Sequence, residues 1–332
     1  MLTQPAGPHA PGLIAGSTIM VTGGCGFIGS HLVRQLVAQR AARVVVIDSL
    51  RYGNRSNLGR LSSAVEVVPF TLGTDAPALL EQKLEGVRYL FHLAAEKHNQ
   101  SSDRPLDVLR SNVEGTYTLF DLAARRGVEK IVFTSSLYAY GRLHGPAFVE
   151  DELPAPQTVY GVSKLCGEHL LRHLHAAHGV AYTVLRYLFV YGPQQFAGSG
   201  YKSVIVKTFE RLLDGAPAIV YGDGTQVLDY VYVDDVVEAT IRALDMQVSG
   251  ELFNIGSGVP TTVNELVDLM LSVAGCNLPK RYEPPDWTAG SSRVANIDKA
   301  RRQLGWAPRT PLREGLAHTF AWLAAERRDA PA

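Results

Sequence analysis

The sequence predicts an α/β fold, a doubly wound parallel sheet with a smaller mixed α/β lobe after it, on three observations. Short apolar runs alternate with helix-length segments through the first half, a glycine-rich turn joins the first run to the first helix, and an aspartate closes the second run. Strands buried on both faces read as continuous apolar stretches, and parallel neighbours need a crossover of helix length between them.

The runs are residues 18–21, 43–47, 65–68, 89–93, 130–133 and 182–185. Each is short and bounded by turn residues, which favours a strand over a buried helix segment. Two of the intervening helices look long, at 105–126 and 160–178, and carry apolar residues on more than one face. Surplus apolar surface of that kind suits pairing of subunits, so a homodimer through helices near 105–126 and 159–178 is expected. After Arg186 the rhythm shortens, with turn clusters at Gly192-Pro193, Gly198-Ser199-Gly200, Gly222-Asp223-Gly224 and Pro284-Pro285. Helices are expected there at 203–213, 234–245, 262–273 and 312–325, the third opened by a Thr262-x-x-Glu265 capping box. The expected division is a tail at 1–16, a dinucleotide domain at 17–187 plus roughly 226–254, and a substrate lobe at 188–225 and 255–332.

A chain of 332 residues, 46% hydrophobic and 19% charged, can bury a large core. Lys+Arg and Asp+Glu are equal at 32 each, so no overall field favours nucleic acid or an anionic membrane. Three scattered cysteines, Cys25, Cys166 and Cys276, fit free thiols in a reducing compartment. Residues 1–16 lack the basic start and apolar run of a signal peptide, and the cytoplasm is the expected location. His169 and His173 are four apart on a helix, but no carboxylate or cysteine completes a site, and no metal is expected.

Gly23, Gly26 and Gly29 lie between the first strand and the first helix, where missing side chains let backbone N–H groups approach a pyrophosphate at the helix N-terminus. Asp48 ends the next strand 19 residues after Gly29, close to the separation of about 20 expected for a carboxylate that binds an adenosine ribose. The ligand expected is NAD. Arg51 is the complication, because a guanidinium there could neutralise the 2′-phosphate of NADP. Tyr160 and Lys164 are four apart on a helix and share a face. An ammonium at Lys164 is expected to lower the Tyr160 pKa from about 10 and make a general base for an alcohol. Ser136, in the run Phe133 to Gly141, falls at the carboxyl edge of the sheet and can face that phenol.

With these motifs in order, the chain resembles the extended short-chain dehydrogenase/reductase family, in particular its nucleotide-sugar epimerases and dehydratases. The likeness extends through His92-Leu93-Ala94-Ala95, Asn112 to Thr116, Arg186-Tyr187, Tyr191-Gly192-Pro193 and Asp229 to Asp235. The resemblance implies a Rossmann-type sheet with Tyr160 as acid/base, Lys164 lowering its pKa and gripping the nicotinamide ribose, and Ser136 hydrogen-bonding the reacting oxygen. It places Phe27, Ile28, Leu93, Ala94, Ala95, Lys97 and Asn112, with the glycines and Asp48, around the cofactor. His98, Asn99, Leu137, Tyr138, Phe189, Lys202, Ser203 and Arg293 fall where a sugar nucleotide would be read. Dehydratases of this family carry Asp-Glu after the serine; here Leu137 and Tyr138 stand instead. Epimerisation at carbon 4 of a UDP-hexose or a relative is therefore expected, with reduction of a nucleotide-linked keto-sugar as the alternative and a non-catalytic dinucleotide sensor behind both.

Three positions depart from the pattern. Phe189 stands where epimerases carry Asn, Leu228 where an Arg precedes Asp229, and Asp286 to Arg293 lacks a further Arg in its usual place. Charge-assisted bonds to a diphosphate are each worth roughly 1.5 to 3 kcal/mol, so replacements are expected. Lys202, Lys207 and Arg293 are the candidates.

Overall fold

The computed structural model describes residues 12–60, 63–143, 145–195, 202–286 and 288–329. The Gly198-Ser199-Gly200 cluster and residues 1–11 lie outside the described residues. The chain is packed from Leu13 onward: Ile14 is buried and the Ser17 hydroxyl donates to the Leu13 carbonyl. Residues 13–16, expected to belong to a loose tail, are packed against the fold.

All six predicted runs are strands of one sheet. β1 (Thr18–Thr22) leads into α1 (Phe27–Ala38), and β2 (Arg43–Asp48) and β3 (Val65–Pro69) follow. Next come α2 (Ala78–Lys83), β4 (Tyr89–His92), the short α3 (Gln100–Asp103) and α4 (Pro105–Leu109), α5 (Thr116–Arg125), β5 (Lys130–Ser136), the 20-residue α6 (Val159–His178) and β6 (Ala181–Tyr187). The remainder is β7 (Phe189–Tyr191), α7 (Val204–Leu213), β8 (Ala218–Tyr221), β9 (Val227–Leu228), β10 (Tyr230–Tyr232), α8 (Val233–Arg242) and β11 (Glu251–Ile255). The chain ends with β12 (Thr261–Thr262), α9 (Val263–Ala274), β13 (Lys280–Glu283), β14 (Ser292–Arg293), α10 (Asp298–Gln303) and α11 (Leu312–Asp329).

The central sheet runs β11-β6-β5-β4-β1-β2-β3 and every pairing in it is parallel. The order reverses between β1 and β4, and in doubly wound sheets ligands bind outside the carboxyl ends of the strands at that point. Three small sheets, β10-β7, β12-β9-β14 and β13-β8, are built from the segments that follow β6 and β11 in the chain. Two apolar layers, one on each face of the central sheet, hold the fold: Ile19, Val21, Leu32, Val44 and Phe91 pack with α1, while Met20, Val45, Leu90, Leu119 and Phe120 pack with α5.

Local signals explain the helix ends. Thr158 caps α6 through the Gly161 N–H, Ser203 caps α7 through the Val206 N–H, and Thr262 with Glu265 forms the expected capping box on α9. The helix expected at 105–126 is interrupted: residues Arg110–Gly115 widen into a π-turn between α4 and α5. That widening faces Asn112 inward. It also brings Gly115 so close to the chain at Leu72 and Gly73 that an added Cβ would meet the Gly73 nitrogen at 2.6 Å.

Candidate active site

At the carboxyl end of β1 the chain turns through Gly23, whose φ of 72° is left-handed, and enters α1 at Gly26. A side chain at Gly29 would place its Cβ 2.1 Å from the Gly23 carbonyl oxygen, and one at Gly23 would sit 2.8 Å from the Ala94 nitrogen. Only glycines let helix and turn close this tightly, and no side chain caps the N–H groups that open α1. Those donors are free for an anion.

Asp48, at the end of β2, is buried and accepts from the backbone N–H of Cys25 at 2.9 Å and of Leu50 at 2.8 Å. Burial raises its pKa and the two donors oppose that, so the carboxylate is fixed in place beside the turn. Gly23, Gly26, Phe27, Asp48, Leu93, Ala94, Ala95 and Lys97 line one cavity of about 660 Å³. A smaller space of about 350 Å³ adjoins it, lined by Ile28, Gly29, Thr134, Ser136, Tyr160, Lys164 and His98. A third, of about 490 Å³, holds His98, Asn99, Ser136, Leu137, Tyr138, Phe189, Lys202 and Ser203. The three share residues, Lys97 among them, and form one trough from the β2 end to the small sheets. A dinucleotide fits the first two spaces: the glycine turn, the exposed helix donors and the pinned Asp48 carboxylate are all present.

The three residues expected to be catalytic, Ser136, Tyr160 and Lys164, all line the middle space. Ser136 ends β5, and its hydroxyl favours ionisation of the Tyr160 phenol. Lys164, one turn along α6, donates from Nζ to the Thr134 carbonyl at 2.8 Å and lies 5.7 Å from the Tyr160 ring centre. The expected fall in the Tyr160 pKa is not found. Burial pushes the phenol up to about 12, with only Ser136 opposing, while burial pulls Lys164 down to about 7 against the Glu168 carboxylate. The ammonium points at a backbone carbonyl, and desolvation outweighs charge at this site.

Other sequence-based expectations meet the structure as follows. Arg51 does not stand open for a 2′-phosphate: its Nη1 lies 2.8 Å from Glu96 Oε1. Lys202 lines the third space, but its Nζ is bound by both Glu210 oxygens at 2.7 Å. Lys207 and Arg211, on the same helix, line that space too, and Arg211 is a cation the sequence reading passed over. Arg293 is not among the lining residues; its guanidinium lies 5.9 Å from the Tyr138 ring, which stacks on His98 at 3.9 Å. His98 is pulled down to about 4 by burial and by Arg293, so its imidazole is neutral. Asn112 lines none of the three spaces. It accepts from the Glu96 N–H at 2.7 Å and donates to Ser163 at 3.2 Å, tying the β4 loop to α6.

Glu168 was also not singled out, though it lies four residues beyond Lys164 on the same face of α6. It takes a bidentate ion pair from Arg186, at 2.9 and 2.6 Å, and a hydrogen bond from Ser135. That pair fastens α6 to β5 and β6, the strands that carry Ser136 and Tyr187.

Residues 19–256 match the model of the NAD dependent epimerase/dehydratase family. A dTDP-glucose 4,6-dehydratase of Streptomyces griseus is 36% identical, the match covering 92% of this chain and 93% of the relative. Among solved structures, the UDP-glucose 4-epimerase of Thermotoga maritima with UDP-glucose superposes with a TM-score of 0.87 at 35% identity, covering 93% of this chain and 99% of that one. The dTDP-glucose 4,6-dehydratase of Streptomyces venezuelae, holding NAD, gives 0.86 at 31%, covering 94% and 98%. On a family match over residues 19–256, with relatives above 30% identity across nine-tenths of the chain and a shared fold, this chain belongs to the NAD-dependent epimerase/dehydratase family, within the nucleotide-sugar group of extended short-chain dehydrogenases/reductases.

Proposed function

We propose that this protein is an NAD-dependent nucleotide-sugar 4-epimerase acting on a UDP-hexose or a related sugar nucleotide. NAD, when bound, supplies reversible hydride exchange with the carbinol carbon. The protein handles the proton: the Tyr160 phenol exchanges it with the sugar hydroxyl, and Ser136 holds the reacting oxygen by a hydrogen bond. Lys164 anchors the floor of the site through the Thr134 carbonyl. A transient 4-keto sugar then presents its other face within the 490 Å³ space.

The observation that carries this reading is the lack of a usable carboxylic acid beside Tyr160. Elimination of a hydroxyl needs groups to protonate it and to remove a ring proton, and Leu137 and Tyr138 occupy the two positions after Ser136. Glu96 is the one carboxylate among the described residues lining the middle space, and both its oxygens are taken by Arg51 and Tyr52. The test is to incubate the purified protein with UDP- and dTDP-hexoses without added cofactor. Interconversion of 4-epimers, abolished in Tyr160→Phe while NAD stays bound, is the expected result. A 4-keto-6-deoxy product, or turnover that consumes reduced cofactor mole for mole, would overturn it. The reading includes a homodimer through α4, α5 and α6, where Leu106, Leu109, Tyr117 and Val162 are exposed.

A further inference from the structure

Loops from both sides of the glycine turn are joined above it by side chains. β2 and β4 each pair with β1, so the loops that follow them stand on either side of the β1 carboxyl end. A contact between those loops therefore crosses the turn where the dinucleotide cavity opens. Three such contacts are present. Arg51 Nη1 lies 2.8 Å from Glu96 Oε1, the Tyr52 hydroxyl donates to Glu96 Oε2 at 3.1 Å, and Lys97 Nζ sits 4.3 Å from the Tyr52 ring centre. All four residues line the 660 Å³ cavity.

Both jaws stand on rigid supports. On the β2 side, the Asn54 N–H and the Asn57 side-chain amide both donate to the Cys25 carbonyl, and a Cβ on Gly53 would meet that carbonyl carbon at 2.8 Å. On the β4 side, the Glu96 backbone exchanges two hydrogen bonds with Asn112, which is bonded to Ser163 on α6. What joins the jaws is side chain alone, and side chains swing without moving the backbone. The Glu96 side chain is 10% exposed and that of Arg51 37%, so the pair is partly shielded and reachable from solvent.

We propose that Glu96, Arg51 and Tyr52 form a clasp that closes over bound NAD and sets the rate at which it escapes. The inference rests on NAD being the resident cofactor of the proposed reaction, and it adds how that cofactor is kept. A reaction that returns its hydride to the substrate leaves the dinucleotide unchanged, so slow release costs nothing in turnover and prevents loss between cycles. Glu96 is the keystone because one carboxylate holds both partners.

The test is an exchange measurement. Protein loaded with labelled NAD is diluted into excess unlabelled NAD, and release of label is followed. Glu96→Gln and Arg51→Met should each release it at least about tenfold faster, and the double variant no faster than Glu96→Gln alone, because the contact that Arg51→Met removes is already lost with the Glu96 carboxylate. The reversed pair, Arg51→Glu with Glu96→Arg, should restore much of the retention and so separates loss of the clasp from damage to the fold. Release from the unaltered protein should speed up with added salt, while Glu96→Gln should be nearly insensitive to it. Release within twofold of the unaltered protein in both single variants, or singles that multiply in the double, would overturn the clasp. If the unaltered protein binds no NAD at all, the proposed reaction falls with it; unchanged release from a protein that does bind NAD removes the clasp alone.

Discussion

Replacing Glu168 by Gln should destabilise the protein through Arg186. The two side chains are 8% and 3% exposed, and the bidentate pair is completed by Ser135 on Glu168. Gln keeps the shape and some of the hydrogen bonds, so no cavity opens and the change is chiefly one of charge. Arg186 Nη1 already lacks a hydrogen-bond partner, and its guanidinium would then lie buried without a counter-ion. Breaking a buried pair from one side costs about 3–5 kcal/mol. Unfolding entropy near 2.1 cal/mol/K per residue gives roughly 0.7 kcal/mol/K for 332 residues, so Tm should fall by about 4–7 °C. Scanning calorimetry reads this directly. A double variant, Glu168→Leu with Arg186→Met, removes both charges and should recover most of the loss. A shift under about 1 °C in the single variant, or a double variant no better than the single, would show that the pair does not hold α6 to the sheet.

Other expectations are more local. Gly29→Ala forces a Cβ to within 2.1 Å of the Gly23 carbonyl oxygen and should weaken NAD binding at least about tenfold by calorimetric titration; unchanged affinity would mean the turn can open freely. Lys130 is fully buried, held at Nζ by the Asp245 carbonyl, and pulled down to about 7 by burial. Between pH 7 and 10.5 the unfolded chain binds a proton there that the folded one does not, so stability should rise across that window, with the penalty complete below pH 7. Lys130→Met should flatten that rise and add about 1–3 kcal/mol at pH 7 by denaturant unfolding, net of the lost bond to Asp245. No gain and an unaltered pH slope would disprove the assignment. Leu106→Glu with Val162→Glu should turn a dimer into a monomer by light scattering; an unchanged mass would place subunit contact elsewhere.

What the sequence made legible was periodic or local. Six apolar runs became six neighbouring parallel strands because a strand buried on both faces has no polar face to interrupt it. Thr262 announced its helix because a cap and its N–H are three residues apart. Ser136, Tyr160 and Lys164 converged as expected, since a strand end and a helix face fix their directions. Hidden from such reading were pairings between distant segments. Arg51 and Glu96 are 45 residues apart, and nothing in either neighbourhood indicates that the guanidinium turns to Glu96 and away from a phosphate. Lys202 looked like a free cation because it precedes the helix that carries Glu210, eight residues on, so no i, i+4 pairing marks the contact. The π-turn at 110–115 follows from the need to seat Asn112 against Glu96, a tertiary demand that overrides helical propensity.

The Tyr160 result shows where charge alone misleads. An i, i+4 lysine stabilises a phenolate only if its ammonium faces the phenol and stays charged, and Lys164 meets neither condition fully: it is aimed at Thr134 and is brought to about 7 by burial. Glu168 is the group that opposes this fall, and it can do so only while Arg186 holds it in the buried strip between α6 and the sheet. The three residues at 160, 164 and 168 therefore follow one another along one face of α6, with the phenol proposed as base at one end, the amine between, and the ion pair as anchor. A change at Glu168 should consequently reach the chemistry as well as the fold, lowering Lys164 further and moving the alkaline limb of the rate profile, which no purely structural pair would do.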